Sequence, residues 1–423
     1  MHDFPLDLTF LIQYFLISTY LDMRMHTYME AVAAPRSLPR DFSLSALTAG
    51  LVAVAVSFGG PAAIIFQAAK VAGLSPQELS SWIWAISIGS GLTGIYLSLR
   101  YRAPVITAWS TPGVALLAAG WAAYPYPEAI GAFVVSAALI TVTGASGLFQ
   151  AMMDRIPKPV VSAMLAGILF KFGVDVFAWL KNAPLLAGVM IATYLAAKRL
   201  TPRYSVVCTL GAGFAAAGLT GGLDFSTVDA SLAVPVFTMP SFSLGAVIGL
   251  GLPLFLVTMT GQNATGLGVM RASGYDTPAT PMVTLTGLCS LVLAPFGCHG
   301  VNLAAITAAI CTGQESHPDP DKRYVAGVAC GACYLAVGVF GAALVGVFTA
   351  LPGALISVVS GLALFGAISS GLTQAMEDAD RREAALVTLL ITVSGVSFFG
   401  IGSAFWGLLG GLAADRILSS RRA

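Results

Sequence analysis

The chain consists of long apolar runs separated by short polar segments, and the runs have the length of membrane-spanning helices. A helix needs about 20 apolar residues to cross the hydrocarbon core of a bilayer. By that measure the sequence predicts an all-α polytopic membrane protein with fourteen transmembrane segments, at residues 44–67, 78–99, 104–121, 128–150, 159–180, 183–199, 204–220, 244–268, 279–294, 300–313, 324–349, 352–374, 383–400 and 403–418.

Two of the predicted helices are interrupted in the same way. Residues 103–113 read APVITAWSTPG before the apolar run 114–119, and residues 294–302 read APFGCHGVN before the apolar run 303–310. Each segment begins with Ala-Pro, continues through a polar stretch with Gly or Pro, and only then becomes helical. Interrupted apolar segments at corresponding positions of two halves indicate the binding site of a secondary transporter. The sequence therefore predicts transport of a small solute.

The similarity between the halves extends beyond the interrupted helices. Residues 57–73 align with residues 258–274 without a gap, and basic residues and glycines match in order. Each copy contains seven helices, and because seven is odd, the second copy is inverted relative to the first. Inverted repeats place the substrate near the bilayer midplane, at their interface. The predicted parts are an N-terminal cytoplasmic or interfacial segment (1–43), a first repeat (44–220), an external linker (221–243) and a second repeat (244–423).

Composition agrees with a membrane protein and argues against several other classes. The chain is 57% hydrophobic and 10% charged, and its net charge of +1 gives no indication of a nucleic-acid partner. Cys330 and Cys333 have the CxxC spacing but lie within a run of apolar and small residues, which favours packing over a zinc or redox site. We predict no metal and no cofactor.

The distribution of basic residues predicts the orientation. When the loops are assigned alternately to two sides, 18 of the 21 Lys and Arg fall on the side of the termini. The other side contains Lys70 and Lys181, while Lys171 lies within a span. By the positive-inside rule, both termini are predicted to be cytoplasmic.

The interrupted helices suggest how an anion is bound. Two helix N-termini, predicted near residues 111–114 and 301–304, would present unpaired N–H groups to each other from opposite directions. Nearby hydroxyl and amide groups would add hydrogen bonds, and rings would form an aromatic wall; for each residue the alternative is packing or helix capping. The candidate substrate-binding residues are Phe58, Trp109, Ser110, Thr111, Gly113, Gln262, Asn263, Phe296, Val301 and Asn302.

His299 is the one histidine of four in a predicted span region. Because histidine changes charge near physiological pH, it is the candidate for proton coupling. The alternative is a neutral histidine that is hydrogen-bonded to a backbone carbonyl. An enzyme is not expected: Cys298 and His299 are adjacent on an extended stretch, where neighbouring side chains point to opposite sides.

Four segments of the chain, at residues 57–67, 109–113, 260–263 and 295–302, resemble BenE-type benzoate/proton symporters, and the resemblance covers nearly all of residues 40–420. It implies the fold of the uracil/proton symporters and related anion exchangers. In that fold, helices 1–4 and 8–11 form a core and helices 5–7 and 12–14 form a gate. Short antiparallel strands lead into helices 3 and 10.

The resemblance implies import of benzoate or a related aromatic carboxylate with protons, in the bacterial cytoplasmic (inner) membrane. Nucleobase carriers of this fold use acidic residues on helices 8 and 10, where this chain has Gln262, Asn263, His299 and Asn302. Neutral side chains favour an organic anion over a base. A nucleobase/proton symporter, an inorganic-anion transporter and a channel remain alternatives, and the sequence leaves a homodimer open.

Overall fold

The structure is a computed structural model that describes residues 38–59, 61–149, 151, 157–202, 205–220, 222, 232–314, 316–396, 398 and 403–419. Most of the predicted N-terminal segment and half of the predicted linker lie outside the described residues. The main helices are α1 (Leu44–Gly59), α2 (Ala62–Ala72), α3 (Pro76–Tyr101), α4 (Thr111–Gly120), α5 (Tyr126–Ala145), α6 (Lys158–Asn182), α7 (Pro184–Leu200), α8 (Ser205–Leu219), α9 (Leu244–Arg271), α10 (Ala279–Leu293), α11 (Ile306–Thr312), α12 (Tyr324–Val339), α13 (Gly341–Thr349), α14 (Gly353–Glu377), α15 (Arg382–Ser394) and α16 (Ser403–Ser419).

The described residues contain seven helical segments that are long and apolar enough to cross a membrane, and an eighth if the bent pair α12 and α13 forms one span. One of the seven combines α1 and α2. Each of the fourteen predicted ranges overlaps a helix of the structure. The chain is thus a largely helical membrane protein, and the count of fourteen spans remains a prediction.

Three of the predicted helices contain a break in the structure. The range 44–67 is divided near Pro61, and its second part, α2, continues to Ala72. The range 324–349 bends by 70° between α12 and α13. The range 383–400 stops at Ser394, because Gly395 has a φ of 68° and ends the helix in the left-handed conformation that glycine adopts most easily. Periodicity alone did not locate these breaks.

Two short strands meet in the interior, as the family resemblance implied. Strand β1 (Thr107–Trp109) pairs antiparallel with strand β2 (Val301–Leu303), so that Ala108 lies opposite Asn302. Every residue of both strands is buried. Non-helical backbone at membrane depth requires such protein surroundings, because lipid cannot pair its N–H and C=O groups. The strands therefore fix the position of the segments that enter α4 and α11.

Close helix packing depends on small residues. A Cβ atom at Gly91 of α3 would lie 2.7 Å from the carbonyl oxygen of Gly331 on α12, and one at Gly287 of α10 would lie 2.7 Å from the amide nitrogen of Thr141 on α5. Helices in lipid associate through van der Waals contact rather than the hydrophobic effect, so glycine at these contacts permits the approach. The pairs α3–α12 and α5–α10 pack along much of their lengths.

Candidate anion site at the crossed strands

Ser110 joins β1 directly to α4 and caps its own helix. Its Oγ accepts a hydrogen bond from the Gly113 N–H at 3.1 Å, and its carbonyl accepts from the Val114 N–H at 2.9 Å. Serine is favoured at this position because its short side chain satisfies a donor that the first helical turn leaves unpaired. The WSTPG sequence thus produces a sharp, locally stabilised change from strand to helix.

Ser110 also holds the two halves of the molecule together. The Asn302 amide, with its oxygen toward Ser110, accepts from the Ser110 N–H at 3.1 Å and donates to the Leu303 carbonyl at 3.2 Å. The Thr258 hydroxyl of α9 donates to Ser110 Oγ at 3.3 Å. Both Ser110 and Asn302 are completely buried. The structure therefore brings these two predicted residues together, and it uses their polar groups to join the strands.

His299 is fixed by two partners. The Trp82 indole N–H on α3 donates to His299 Nδ1 at 2.9 Å, so Nδ1 acts as an acceptor. The ring proton then lies on Nε2, which is 3.3 Å from the Ser110 carbonyl oxygen. A neutral imidazole satisfies both contacts, and a second proton on Nδ1 would face the indole N–H. This geometry favours the neutral, hydrogen-bonded alternative over a proton-carrying His299.

The second predicted helix N-terminus is in the wrong place. Residues 301–303 belong to β2, and α11 begins only at Ile306. The Val301 N–H donates to Ser290 Oγ at 2.7 Å, and the Leu303 N–H donates to Asn263 Oδ1 at 3.0 Å. These N–H groups are occupied by protein because the strand needs internal partners. Val301 also packs its side chain against α3 at Gly89, so its role is structural.

The adjacent amides Gln262 and Asn263 have different environments. Both lie in a π-helical turn of α9, Met259–Asn263, a wide turn that often occurs at functional sites. Asn263 is completely buried, and its amide nitrogen donates to the Met259 sulfur at 3.4 Å. Gln262 is half-buried, and in the described structure its side-chain amide has no hydrogen-bond partner. Gln262 alone of the two is available to a ligand.

The N-terminus of α4 offers an unpaired donor. Thr111, the first residue of this ten-residue helix, is half-buried, and within the described residues its N–H has no acceptor. Pro112 has no N–H, and the next two N–H groups are bonded to Ser110. A Cβ atom at Gly113 would lie 2.7 Å from Leu254 Cδ1, so glycine lets α4 approach α9 closely.

The predicted aromatic wall forms only in part. The Trp109 ring lies 6.2 Å from the Phe58 ring and 6.4 Å from the His299 ring. Trp109 is 2% exposed, yet its indole N–H has no partner in the described part of the chain. Phe296 does not join this group as predicted, since its ring packs on Trp84 and Phe237, at 5.8 Å from each. It is the last residue of a short 3₁₀ turn, Ala294–Phe296, that follows α10.

Several polar residues that the sequence analysis did not identify contact the predicted site residues or lie buried in the helices that carry them. Trp82, Thr258 and Ser290 supply hydrogen bonds to His299, Ser110 and Val301. Thr307, near the start of α11, is buried, and its hydroxyl has no partner within the part of the chain that the structure describes. All four residues lie in apolar helices. Hydroxyl groups there commonly bond to a carbonyl of their own helix, so the sequence does not show which of them has a partner on another element.

No formal charge lies in the segments that build this site. Residues 103–123, 244–270 and 279–313 contain no Asp, Glu, Lys or Arg. Among the described residues, no group of three or more His, Cys, Asp or Glu could hold a metal ion. The site electrostatics therefore come from the N-terminus of α4 and from hydroxyl, amide and indole dipoles, which favour a negatively charged ligand.

Comparison with known proteins identifies the family of the chain. The profile of the benzoate membrane transport protein family (BenE) matches residues 40–417. The inner membrane protein YdcO of Escherichia coli (strain K12) is 44% identical over 365 residues, which are 86% of this chain and 93% of YdcO. The benzoate membrane transport protein of Acinetobacter baylyi (strain ATCC 33305 / BD413 / ADP1) is 42% identical over 388 residues, 92% of this chain and 98% of that protein.

Solved structures identify the same fold. The structure of SLC26A9 superposes with a TM-score of 0.63 at 13% sequence identity, and the match covers 90% of this chain and 66% of that one. At this identity the likeness concerns the fold alone. The family profile and both relatives cover most of the chain, and the relatives are membrane proteins. The chain therefore belongs to the benzoate membrane transport protein family.

Proposed function

We propose that the protein is a secondary active transporter that imports benzoate or a related aromatic carboxylate together with protons. The observation that carries the proposal is the N-terminus of α4. There the Thr111 N–H and the Trp109 indole N–H lie in one strand-to-helix segment without formal charge, and neither has a partner among the described residues. A carboxylate is the ligand that such donors favour.

Family membership supports an aromatic acid as the substrate. In our proposal the carboxylate binds at Thr111, the Gln262 amide and the Trp109 indole N–H donate to it, and the substrate ring packs against the Phe58 and Trp109 rings. Ser110, Gly113, Asn263, Val301 and Asn302 hold this geometry rather than contacting the substrate. Phe296 belongs to a separate aromatic group.

Proton coupling follows from the charge of the substrate. Entry of an anion against an inside-negative potential costs about 2.3 kcal/mol per charge per 100 mV. One co-transported proton cancels that charge, and a second lets the potential assist. Because the Trp82 bond occupies His299 Nδ1, we propose that the proton travels on a polar group of the site through water, with His299 as the alternative.

The packing supports the proposed inverted repeat of seven plus seven helices. In the proposed repeat, α3 corresponds to α10, and α12 corresponds to α5. The symmetry of the repeat therefore relates the packed pair α3–α12 to the packed pair α10–α5. Both pairs pack closely through glycines. The pairs β1–β2 and α6–α14 each join an element to its own counterpart. We further propose fourteen spans, with a core that moves against a fixed gate. Both termini would be cytoplasmic in a bacterial inner membrane, and the gate helices would form a homodimer.

We propose a carrier rather than an enzyme or a channel. The adjacent Cys298 and His299 are almost fully buried, and the two ring nitrogens of His299 are both engaged, which leaves no exposed nucleophile and base there. Saturable uptake that is stimulated by substrate on the opposite side would support a carrier. Single-channel currents would contradict it.

The decisive experiment is uptake into proteoliposomes. An inward acid gradient should drive accumulation of labelled benzoate, a protonophore should abolish it, and uracil and sulfate should not compete. Trp109→Phe should keep the fold and weaken binding by about 10- to 100-fold, through loss of a hydrogen bond to a charged group worth about 1.5–3 kcal/mol. Uptake that ignores the gradient would reject proton coupling, and uracil uptake without benzoate uptake would favour a nucleobase carrier.

Two variants test the remaining parts of the proposal. In His299→Gln, loss of acid-driven accumulation with normal benzoate exchange would identify His299 as the proton carrier; we expect both activities to fall together. Ser226→Cys, in the predicted external linker, should react with impermeant reagents from outside the cell, in a background where the exposed Cys208 is replaced. Labelling from the cytoplasm alone would reverse the topology.

A further inference from the structure

The segment Leu232–Leu244, called the strap below, is extended up to the start of α9 and has an apolar outer side. Its sequence, LAVPVFTMPSFSL, contains no charged residue. Its large apolar side chains are 59–76% exposed, at positions Leu232, Val234, Phe237, Met239, Phe242 and Leu244. A contiguous exposed apolar row normally marks contact with a partner or a membrane.

The opposite side of the strap is attached to helix ends by its backbone. The N–H groups of Ala233, Val236, Thr238 and Ser241 donate to protein acceptors at 2.8–2.9 Å. The acceptors lie at the end of α12, near the start of α3, just after α10 and near the start of α5. Under the predicted topology, all these helix ends are on the side opposite the termini, and the strap runs across that side as a fixed element.

At α3, the strap lies below the level at which the helix begins. Its acceptor Ser81 is five residues after the start of α3 at Pro76, which corresponds to about 7.5 Å along a helix. The first turn of α3, which is farther from the bilayer centre than Ser81, is polar: it contains Glu78, which forms a capping box with Ser75. The strap therefore lies nearer to the bilayer than the polar end of α3.

Neighbouring residues continue the apolar surface at the same level. The Phe237 ring packs on Phe296, which packs on Trp84, and aromatic residues are enriched at the two membrane–water interfaces. Val292 near the end of α10 and Phe340 after α12 are 63% and 55% exposed. The apolar row of the strap is thus continuous with side chains at the ends of apolar helices.

We propose that the strap is a membrane-contacting element whose apolar row inserts between lipid headgroups, at the boundary of the acyl chains on the side opposite the termini. An extended backbone is excluded from the hydrocarbon core, where outward N–H groups have no acceptor. At the interface, water and headgroups supply acceptors, and apolar side chains are buried as in interfacial segments. The proposal depends on membrane embedding and not on the identity of the substrate.

Site-specific quenching in liposomes tests the proposal. The background is Cys208→Ser, which removes the one exposed cysteine of six. An environment-sensitive fluorophore is placed at Met239→Cys on the strap and, as the control, at Asp276→Cys in an exposed polar loop. Phosphatidylcholine with a quencher near its headgroup should quench position 239 and leave position 276 unchanged, whereas aqueous iodide should quench position 276 more strongly.

Equal access of iodide to both positions would overturn the proposal, because the strap would then be in water. Pyrene at position 239 tests the alternative occupant, a second copy of the chain. Excimer emission that persists when the protein is diluted with excess lipid would assign the strap to a dimer interface and overturn lipid contact. Monomer emission that is quenched by the labelled lipid would support it.

Discussion

The two interrupted helices begin with similar sequences, but their ends are held in different ways. In the first, Ser110 connects β1 to α4 without a spacer and caps the helix with its own side chain. In the second, two residues separate β2 from α11, and Ala305 at the cap position makes no side-chain hydrogen bond. There the strand is held by Ser290 and Asn263, which come from other helices.

The difference assigns different tasks to the two halves. The first half has a ten-residue helix with an unpaired N–H at Thr111, which suits an anion. The second half has a seven-residue helix, and its leader directs His299 and Asn302 to the carbonyl and amide of Ser110. An inverted repeat therefore does not imply a symmetric site: we infer that one half binds the ligand and that the other positions it.

A bulky side chain at the N-terminus of α4, in the half that we infer to bind the ligand, should have the largest effect on benzoate binding. Thr111→Trp places a large ring at a half-buried position beside the free N–H, and we expect benzoate binding to weaken by at least about 100-fold, or ~2.7 kcal/mol. Thr265→Trp, at an exposed position on α9, should bind normally. Calorimetry on purified protein measures both, and normal binding by Thr111→Trp would place the site elsewhere.

Substitutions that remove the hydrogen bonds of the second interrupted segment should lower the unfolding free energy. Trp82→Phe leaves His299 Nδ1 buried without a donor, which should lower the unfolding free energy by about 1–3 kcal/mol. Trp121→Phe is the matched control, since Trp121 is equally buried and its ring lies 5.1 Å from the Trp82 ring. Its indole N–H has no partner among the described residues. Thermal unfolding in detergent compares them, and equal losses would show that the His299 bond contributes nothing.

The adjacent residues Gln262 and Asn263 have different proposed roles: Gln262 binds the substrate, and Asn263 stabilises the fold. Asn263→Ala removes the acceptor of the Leu303 N–H and should destabilise the fold by about 1–2 kcal/mol. Gln262→Ala should leave stability unchanged and weaken benzoate binding by up to about tenfold, the value of one hydrogen bond. Thermal unfolding and binding measured on both variants test this, and the reverse pattern would exchange the roles of the residues.

The smallest effect should come from the caps themselves. Ser110→Ala removes a helix cap, worth about 1 kcal/mol in unfolding free energy. Ala305→Ser adds a hydroxyl at the corresponding position, but the backbone there is helical (φ −98°, ψ −55°) rather than extended, so we expect no measurable gain. A clear stabilisation by Ala305→Ser would show that the second helix accepts a local cap after all.

The interrupted helices were predictable because Gly, Pro and polar residues within apolar runs leave few alternatives to a break. The antiparallel strands were expected from the family resemblance. The position of the second helix start was not predictable, since residues 301–310 contain no capping residue where the helix begins. Phe296 was assigned to the substrate wall by its closeness in sequence to the break, but its ring faces the strap instead.

By itself, the sequence determined a largely helical membrane protein, the two interrupted segments, the absence of charge around them and membership of a transporter family. Only the tertiary structure decided which polar groups remain free for a ligand. Trp82 reaches His299 across 217 positions, and Asn263 reaches Leu303 across 40. Local sequence places donors and acceptors along the chain, but whether a buried group is satisfied depends on partners that only folding brings within 3 Å.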